Sequence, residues 1–264
     1  MATDAEAEIL SQRFTPEEQA FFESNGYIIV RGLACPDVVT ALSQATVDGL
    51  LRQTPPVEYE ADLQYPGAPA SRAVAGGDTI RRLKEAHGRH PVFTGWVAQP
   101  RVSAKLRQLL GGPVVMPLAH HNCIMTKQPV FSSETHWHQD IRYWSYQRPE
   151  LISLWLALGH ETQQNGCLEL VPGSHRETFA PERFDKALFF REDLPENAAR
   201  LSQKIHAELS PGDALFFHCR TLHAAGANQT RQTKYSVVYT FRAADNLPRP
   251  GSRSAAMPEL LLPE

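Results

Sequence analysis

Lys234-Tyr-Ser-Val-Val-Tyr-Thr-Phe241 alternates two kinds of side chain. Successive side chains of an extended chain point to opposite faces. Lys234, Ser236, Val238 and Thr240 therefore share one face, and Tyr235, Val237, Tyr239 and Phe241 the other. Such a strand has to be covered on both sides. The aromatic face is expected to pack against helices and the more polar face to line a cavity. A sheet with helices on one side and a cavity on the other is the architecture this strand calls for.

Reading outward, further strand-like runs fall at 114–125, 151–158, 168–171, 207–209 and 214–218, separated by Gly, Pro and Asn turns. The N-terminal half reads differently. Thr15-Pro-Glu-Glu supplies an N-cap, a proline at the first helical position and early acids, and Gly26 stops the helix before the strand Tyr27-Ile-Ile-Val30. A second helix is expected from Pro36-Asp37, with Val38, Val39, Leu42, Ala45 and Leu50 at helical spacing. Residues 52–80 hold Pro55, Pro56, Pro66, Pro69 and Gly76-Gly77 and read as a loop-rich insertion. A third helix is expected at 99–110, before Gly111-Gly112-Pro113. Helices followed by six to eight short strands predict a mainly β sandwich or barrel with flanking helices. We read the chain as a single domain over 1–264: helices and insertion to 112, a barrel core over about 113–242, and a tail from 243.

The 264 residues are 42% hydrophobic and 21% charged, with a formal net charge of -3, so no broad basic field invites nucleic acid or an anionic membrane. A small-molecule partner is expected. No run of about 18 apolar residues is present, and MATDAEAEIL carries acids where a secretory signal has a basic segment. These features point to the cytoplasm. Cys35, Cys123, Cys167 and Cys219 are widely spaced and are expected to be reduced thiols. Glycine-rich phosphate loops are absent, which disfavours nucleotide chemistry.

Thr135-His-Trp-His-Gln-Asp140 contains His138-x-Asp140, a spacing that lets an imidazole and a carboxylate face the same side of an extended segment and share one metal. A second histidine would complete a two-histidine, one-carboxylate facial set of the kind that suits Fe(II) and leaves positions open for co-substrate and O₂. His206-Ala-Glu208 is a rival motif, read as a surface edge. The segment Ile141-Arg-Tyr-Trp-Ser-Tyr146 follows the carboxylate directly. It reads either as a substrate mouth, with Arg142 pairing an anion and Tyr143 or Trp144 stacking on an apolar body, or as a lid packed on the barrel rim.

Several blocks together resemble the phytanoyl-CoA dioxygenase family of Fe(II)/2-oxoglutarate oxygenases. They are Phe21-Phe-Glu-Ser-Asn-Gly-Tyr-Ile-Ile-Val30, Trp137-His-Gln-Asp140, Asn165-Gly-Cys-Leu-Glu-Leu-Val-Pro-Gly-Ser-His175 and Gly212-Asp-Ala-Leu-Phe-Phe-His-Cys-Arg-Thr-Leu-His-Ala-Ala-Gly-Ala-Asn228. The resemblance spans about 15–242 and implies a double-stranded β-helix, a jelly-roll barrel of cupin-like form. It implies iron at His138, Asp140 and His223, with His218 the competitor for the last place. His136 is either an outer neighbour of the metal or solvent-facing, and His175 bonds its own turn.

The family anchors the far carboxylate of 2-oxoglutarate with a basic residue, commonly arginine, on the strand after the second iron histidine. Lys234 holds that position here, and Arg231 lies nearby in a loop. Lys127, Trp155 and Thr135 match positions near the co-substrate, and His121 either reaches the same pocket or packs in the core. The implied activity consumes O₂ and 2-oxoglutarate, releases succinate and CO₂ and hydroxylates a small metabolite. Asp140 disfavours a halogenase. The lysine at 234 and Ala225, where relatives often carry a hydroxyl, leave open a non-catalytic barrel that binds a small ligand or 2-oxoglutarate; a metal-dependent hydrolase or isomerase is a third reading. Substrate and oligomeric state stay open.

Overall fold

A computed structural model describes residues 12–63 and 65–263; the acidic segment bearing on a secretory signal lies outside them. Helix α1 (Pro16–Asn25) begins as its sequence demands. The Thr15 hydroxyl accepts from the Glu18 amide while the Glu18 carboxylate accepts from the Thr15 amide, a reciprocal cap. Gly26 ends the helix at φ 76°, its N–H donating to the Phe22 carbonyl. The chain turns there into β1 (Tyr27–Val30), which pairs antiparallel with β10 (Ala214–His218).

Two antiparallel sheets face each other. The larger runs β1, β10, β7 (Leu151–Ala157), β12 (Lys234–Ala243), β5 (Asn122–Lys127), β3 (Ile80–Lys84) and β2 (Val57–Tyr59), with β4 (Val114–Pro117) joining the far end of β12 and then β13 (Glu259–Leu261). The smaller runs β6 (Thr135–His138), β11 (His223–Ala225), β8 (Leu168–Leu170) and β9 (Ile205–Ala207). Helices α2 (Pro36–Arg52), α3 (Ala86–Arg89), α4 (Pro91–Val97) and α5 (Pro100–Leu110) precede the barrel strands, and α6 (Pro195–Leu201) lies between β8 and β9.

The alternation of β12 resolves as expected. Val237, Tyr239 and Phe241 join Leu42, Phe93, Trp96 and Leu106 in the core between the large sheet and the helices. Val238 joins Trp155, Leu215 and Phe217 against Leu168, Leu170 and Ala225 of the small sheet. Truncating a buried aromatic of such a core costs about 3–5 kcal/mol, so both layers are needed to hold β7 and β12 between them.

The structure departs from the sequence reading in four places. The run 114–125 breaks into β4 and β5, because residues 118–121 leave the ladder; this break delivers His120 and His121 to the cavity described below. The stretch 52–80 is not all loop. It contains β2, and β3 begins at Ile80, a strand hidden in the sequence because the charges of Ile80-Arg-Arg-Leu-Lys84 resemble solvent-facing residues; Arg81 and Arg82 are ion-paired with Glu60 and Glu58. Helices α3 and α4 were not foreseen. Strand β9 lies at Ile205–Ala207 rather than 207–209.

Gly26 has two reasons to be glycine. A β-carbon there would lie 2.3 Å from His175 Nδ1 and 2.8 Å from Thr221 Oγ1, and φ is 76°. Gly26→Ala is expected to cost at least about 1–2 kcal/mol from left-handed strain alone, plus the displacement of His175. Urea unfolding should show this as a lower midpoint; an unchanged midpoint would mean that the junction relaxes freely.

Candidate active site

His223 of β11 lies directly opposite His138 of β6 in the antiparallel ladder, and the ring centroids are 4.1 Å apart. Beyond β6 the chain stays extended through Gln139 and then enters a short 3₁₀ turn that begins at Asp140. The turn is pinned by the Ile141 amide, which donates to the Cys219 carbonyl, and by the Gln139 side-chain amide, which donates to the Arg220 carbonyl. Asp140 Oδ1 comes to 3.8 Å from His138 Nε2 and 3.6 Å from His223 Nε2. One ligand atom from each residue lies within 4.8 Å of the others, and all three residues are buried.

Each imidazole is oriented from behind. His138 Nδ1 pairs with the His136 carbonyl at 2.8 Å and His223 Nδ1 with the Thr221 carbonyl at 3.0 Å, so both Nδ1 atoms donate and both Nε2 lone pairs point into the cluster. Burial, aided by the neighbouring His223, holds His138 well below the ordinary histidine range and keeps it neutral. Burial would raise Asp140, but His121, His223, a hydrogen bond from Ser153 Oγ at 2.8 Å and Arg142 outweigh it and hold the carboxyl below its usual range. Two imidazole Nε2 atoms and one carboxylate on one side of a small space fit a divalent first-row metal, Fe(II) included.

The other histidines separate cleanly. His218 points away from the cluster; its ring lies 5.4 Å from that of His175, and its Nδ1 accepts from the Arg220 amide. His175 bonds the Glu23 carbonyl rather than its own turn. The side chain of His136 is exposed, and only its carbonyl serves the cluster. His206 pairs with Glu169 at 3.3 Å on the edge strand β9.

Lys234 is buried on the cavity face, and its Nζ is 3.0 Å from Glu161 Oε2. Glu161 is a residue that the sequence reading missed. It also accepts from Trp155 Nε1 at 2.9 Å and Ser236 Oγ at 2.6 Å, so three side chains converge on one carboxylate. Lys127 faces Lys234 across the β5–β12 ladder and donates to the Ser133 carbonyl at 2.8 Å. Burial first, then the charges of Lys234 and Arg81, push its amine down to about 7. Arg81, also unanticipated, bonds Glu60, Ser133 and Thr135. Arg81, Lys127, Trp155 and Lys234 line a gap of about 10 Å³. Arg231 is exposed in its loop.

A cavity of about 500 Å³ opens on the other side of the ligands, lined by His121, His138, Asp140, Arg142, Tyr143 and Trp144 among others. His121 Nδ1 is 3.7 Å from Asp140 Oδ2, and its ring stands edge-on to Trp144 at 5.5 Å. Arg142 lies over the Phe189 ring at 4.0 Å. Phe189 in turn contacts His138 ring to ring at 5.9 Å and walls the metal ligands. No local motif announces Phe189, since it reaches the site from a loop fifty residues downstream of His138.

The sequence profile of the family described as phytanoyl-CoA dioxygenase matches residues 22–236. A probable phytanoyl-CoA dioxygenase of Caenorhabditis elegans is 26% identical over 244 residues, covering 88% of this chain and 76% of that protein. An ectoine dioxygenase of Stutzerimonas stutzeri is 27% identical over 244 residues, covering 85% and 76%. The crystal structure of EctD from S. alaskensis with 2-oxoglutarate and 5-hydroxyectoine superposes with a TM-score of 0.74 at 22% identity, covering 89% of this chain and 78% of that one, and shares the jelly-roll fold. With the profile spanning most of its length, the chain belongs to the phytanoyl-CoA dioxygenase family of Fe(II)- and 2-oxoglutarate-dependent oxygenases.

Proposed function

We propose that this chain hydroxylates a small-molecule metabolite, with His138, Asp140 and His223 holding Fe(II). The observation that carries the reading is the convergence of those three side chains beside a cavity. When bound, iron and 2-oxoglutarate supply the oxidising power, O₂ being consumed and the 2-oxo acid converted to succinate and CO₂.

The rest falls to the chain's own residues. Ser153 and the carbonyls of residues 136 and 221 fix the ligand atoms before any metal arrives, which lowers the cost of binding it. Lys234, with Lys127 beside it, offers cationic donors to the far carboxylate of the co-substrate in a largely dry pocket; Trp155 borders that pocket, and Thr135, which lines the larger cavity, accepts a hydrogen bond from Arg81 on its edge. His121, Arg142, Tyr143 and Trp144 form the wall that a substrate meets and keep bulk water from the ligand face. We assign the protein to the cytoplasm. No helix among the described residues is long and apolar enough to cross a membrane, and the four cysteines are unpaired, as a reducing compartment requires.

Alanine at His138, Asp140 or His223 is expected to abolish both Fe(II) binding and O₂-dependent succinate release while the fold persists, and His218→Ala is expected to keep both. Full activity in His223→Ala with loss in His218→Ala would overturn the ligand assignment. Lys234→Ala should raise the apparent 2-oxoglutarate constant by roughly two orders of magnitude, the cost of removing one partner from a buried charge pair being about 3–5 kcal/mol. It also strands Glu161, so Lys234→Ala combined with Glu161→Gln separates the two effects: stability should recover and co-substrate affinity should not. Arg231→Ala should change little, and a defect confined to it would move the anchor to the loop. Lys127 is charged below about pH 7 and neutral above. Co-substrate affinity should therefore fall as pH rises through 7, and a titration series on Lys127→Met should be flatter; equal slopes in the two proteins would remove Lys127 from the anchor.

A further inference from the structure

We propose that the cavity beside the metal ligands selects an acidic substrate, whose anionic group is read between Arg82 on one wall and Arg253 at the mouth. The proposal rests on the assignment of that cavity as the substrate site.

Charge supports it first. The cavity is lined by Arg82, Lys84, Arg142 and Arg253 against Glu58 and Glu85, so cations outnumber carboxylates by two once Asp140 is set aside for the metal. These cations are not equally available. The Arg142 guanidinium lies over Phe189 at 4.0 Å and Tyr143 at 4.6 Å and donates through Nη1 to the carbonyls of Ala187 and Leu188, although its Nε is also buried without an acceptor. Arg82 has a single ion pair, to Glu58 at 3.3 Å, and its Nε is buried with no acceptor. A buried donor left unpaired is costly, and an acid oxygen would satisfy it. Arg253 is exposed, and its guanidinium has neither a hydrogen bond nor an ion pair among the described residues.

The base of Arg253 is held firmly even though its tip is free. It begins a short 3₁₀ turn, Arg253–Ala255, whose buried Ser254 hydroxyl accepts from the Ser145 amide at 2.8 Å and bonds His120 Nε2 at 2.9 Å. Downstream, β13 pairs with β4, and Arg242 forks onto the Glu259 carboxylate. This strap, which also places Ala256 and Met257 on the cavity, lies beyond residue 236, where the family match ends. Arg253 therefore lies outside the stretch that the family profile matches, and Arg82 inside it. Tyr65 and Trp144 line the same cavity, broad apolar faces suited to a hydrocarbon or aromatic body attached to the acid. A neutral analogue of the same shape would leave the Arg82 Nε without an acceptor and Arg253 without a partner, and hydrogen-bonding sites reject such analogues strongly.

The test uses the protein with Fe(II) and saturating 2-oxoglutarate, without O₂, titrated with 4-phenylbutyrate, 3-phenylpropylphosphonate and 4-phenylbutanamide, and followed by tryptophan quenching and calorimetry. Both acids should bind at least about tenfold tighter than the amide, as befits one charge-assisted hydrogen bond. Whichever acid binds better identifies carboxylate or phosphonate as the preferred head group. Arg253→Gln should remove most of the margin and Arg253→Glu should invert it; the side chain is exposed, so neither change threatens the fold. Absence of an acid preference in the unaltered protein, whether every probe binds or none does, overturns the proposal, as does its survival in Arg253→Glu. Succinate release with O₂ and no added substrate is read in parallel. Acid preference without succinate would sink the oxygenase reading alone, and succinate without acid preference would sink the acid site alone.

Discussion

The antiparallel pairing of β11 with β6 is the constraint on which the site depends. It sets His223 opposite His138, at the distance where two imidazoles can point at one atom. A slip of one residue in that ladder would turn one of the rings to the opposite face. What prevents the slip is the packing of the small sheet's apolar face, Leu168, Leu170, Ala207 and Ala225, against Trp155, Leu215 and Phe217 of the large one. The hydrophobic core thus acts as the jig that aligns the His138, Asp140 and His223 cluster, and the helices behind the large sheet hold the jig rigid.

Much of this was legible in the chain. His138-x-Asp140 could be placed on a strand end because alternation is a local property, and the two faces of β12 could be assigned from its own eight side chains. The partner histidine was legible only through the resemblance of whole blocks, since spacing alone did not separate His223 from His218. What stayed hidden depends on long-range pairing. Glu161 looks like an ordinary loop acid until the fold brings Lys234, Trp155 and Ser236 to it from two strands. Arg81 and Arg82 carry no burial signal in the sequence, yet Arg81 is half of a buried ion pair with Glu60 and Arg82 of a half-buried one with Glu58. Phe189 carries no signal at all, because an aromatic residue in a loop is ambiguous until its neighbour is known.

The lysine at 234 changes the electrostatic character of the far pocket. A guanidinium can fork onto a carboxylate, whereas an ammonium acts as a compact charge with rotatable donors. Here the ammonium is already held by Glu161, and the next lysine across the ladder is only marginally charged at neutral pH. The pocket balances two amines and a guanidinium against two buried carboxylates, Glu161 and Glu60, so an incoming dianion meets a nearly neutral network rather than a bare positive charge.

The strap that carries Arg253 has a consequence for the order in which the protein takes shape. Chains are made from the N-terminus and fold as they emerge. His138, Asp140 and His223, and the strand β12 that backs them, are all synthesised before Arg253, Ser254 and the β13 strand that closes onto β4. During synthesis the strands that carry the cluster are therefore available before the outer cavity wall exists, and the mouth is finished last. A nascent chain passes through a stage in which the clustered histidines and aspartate are present and the cavity beside them is still open.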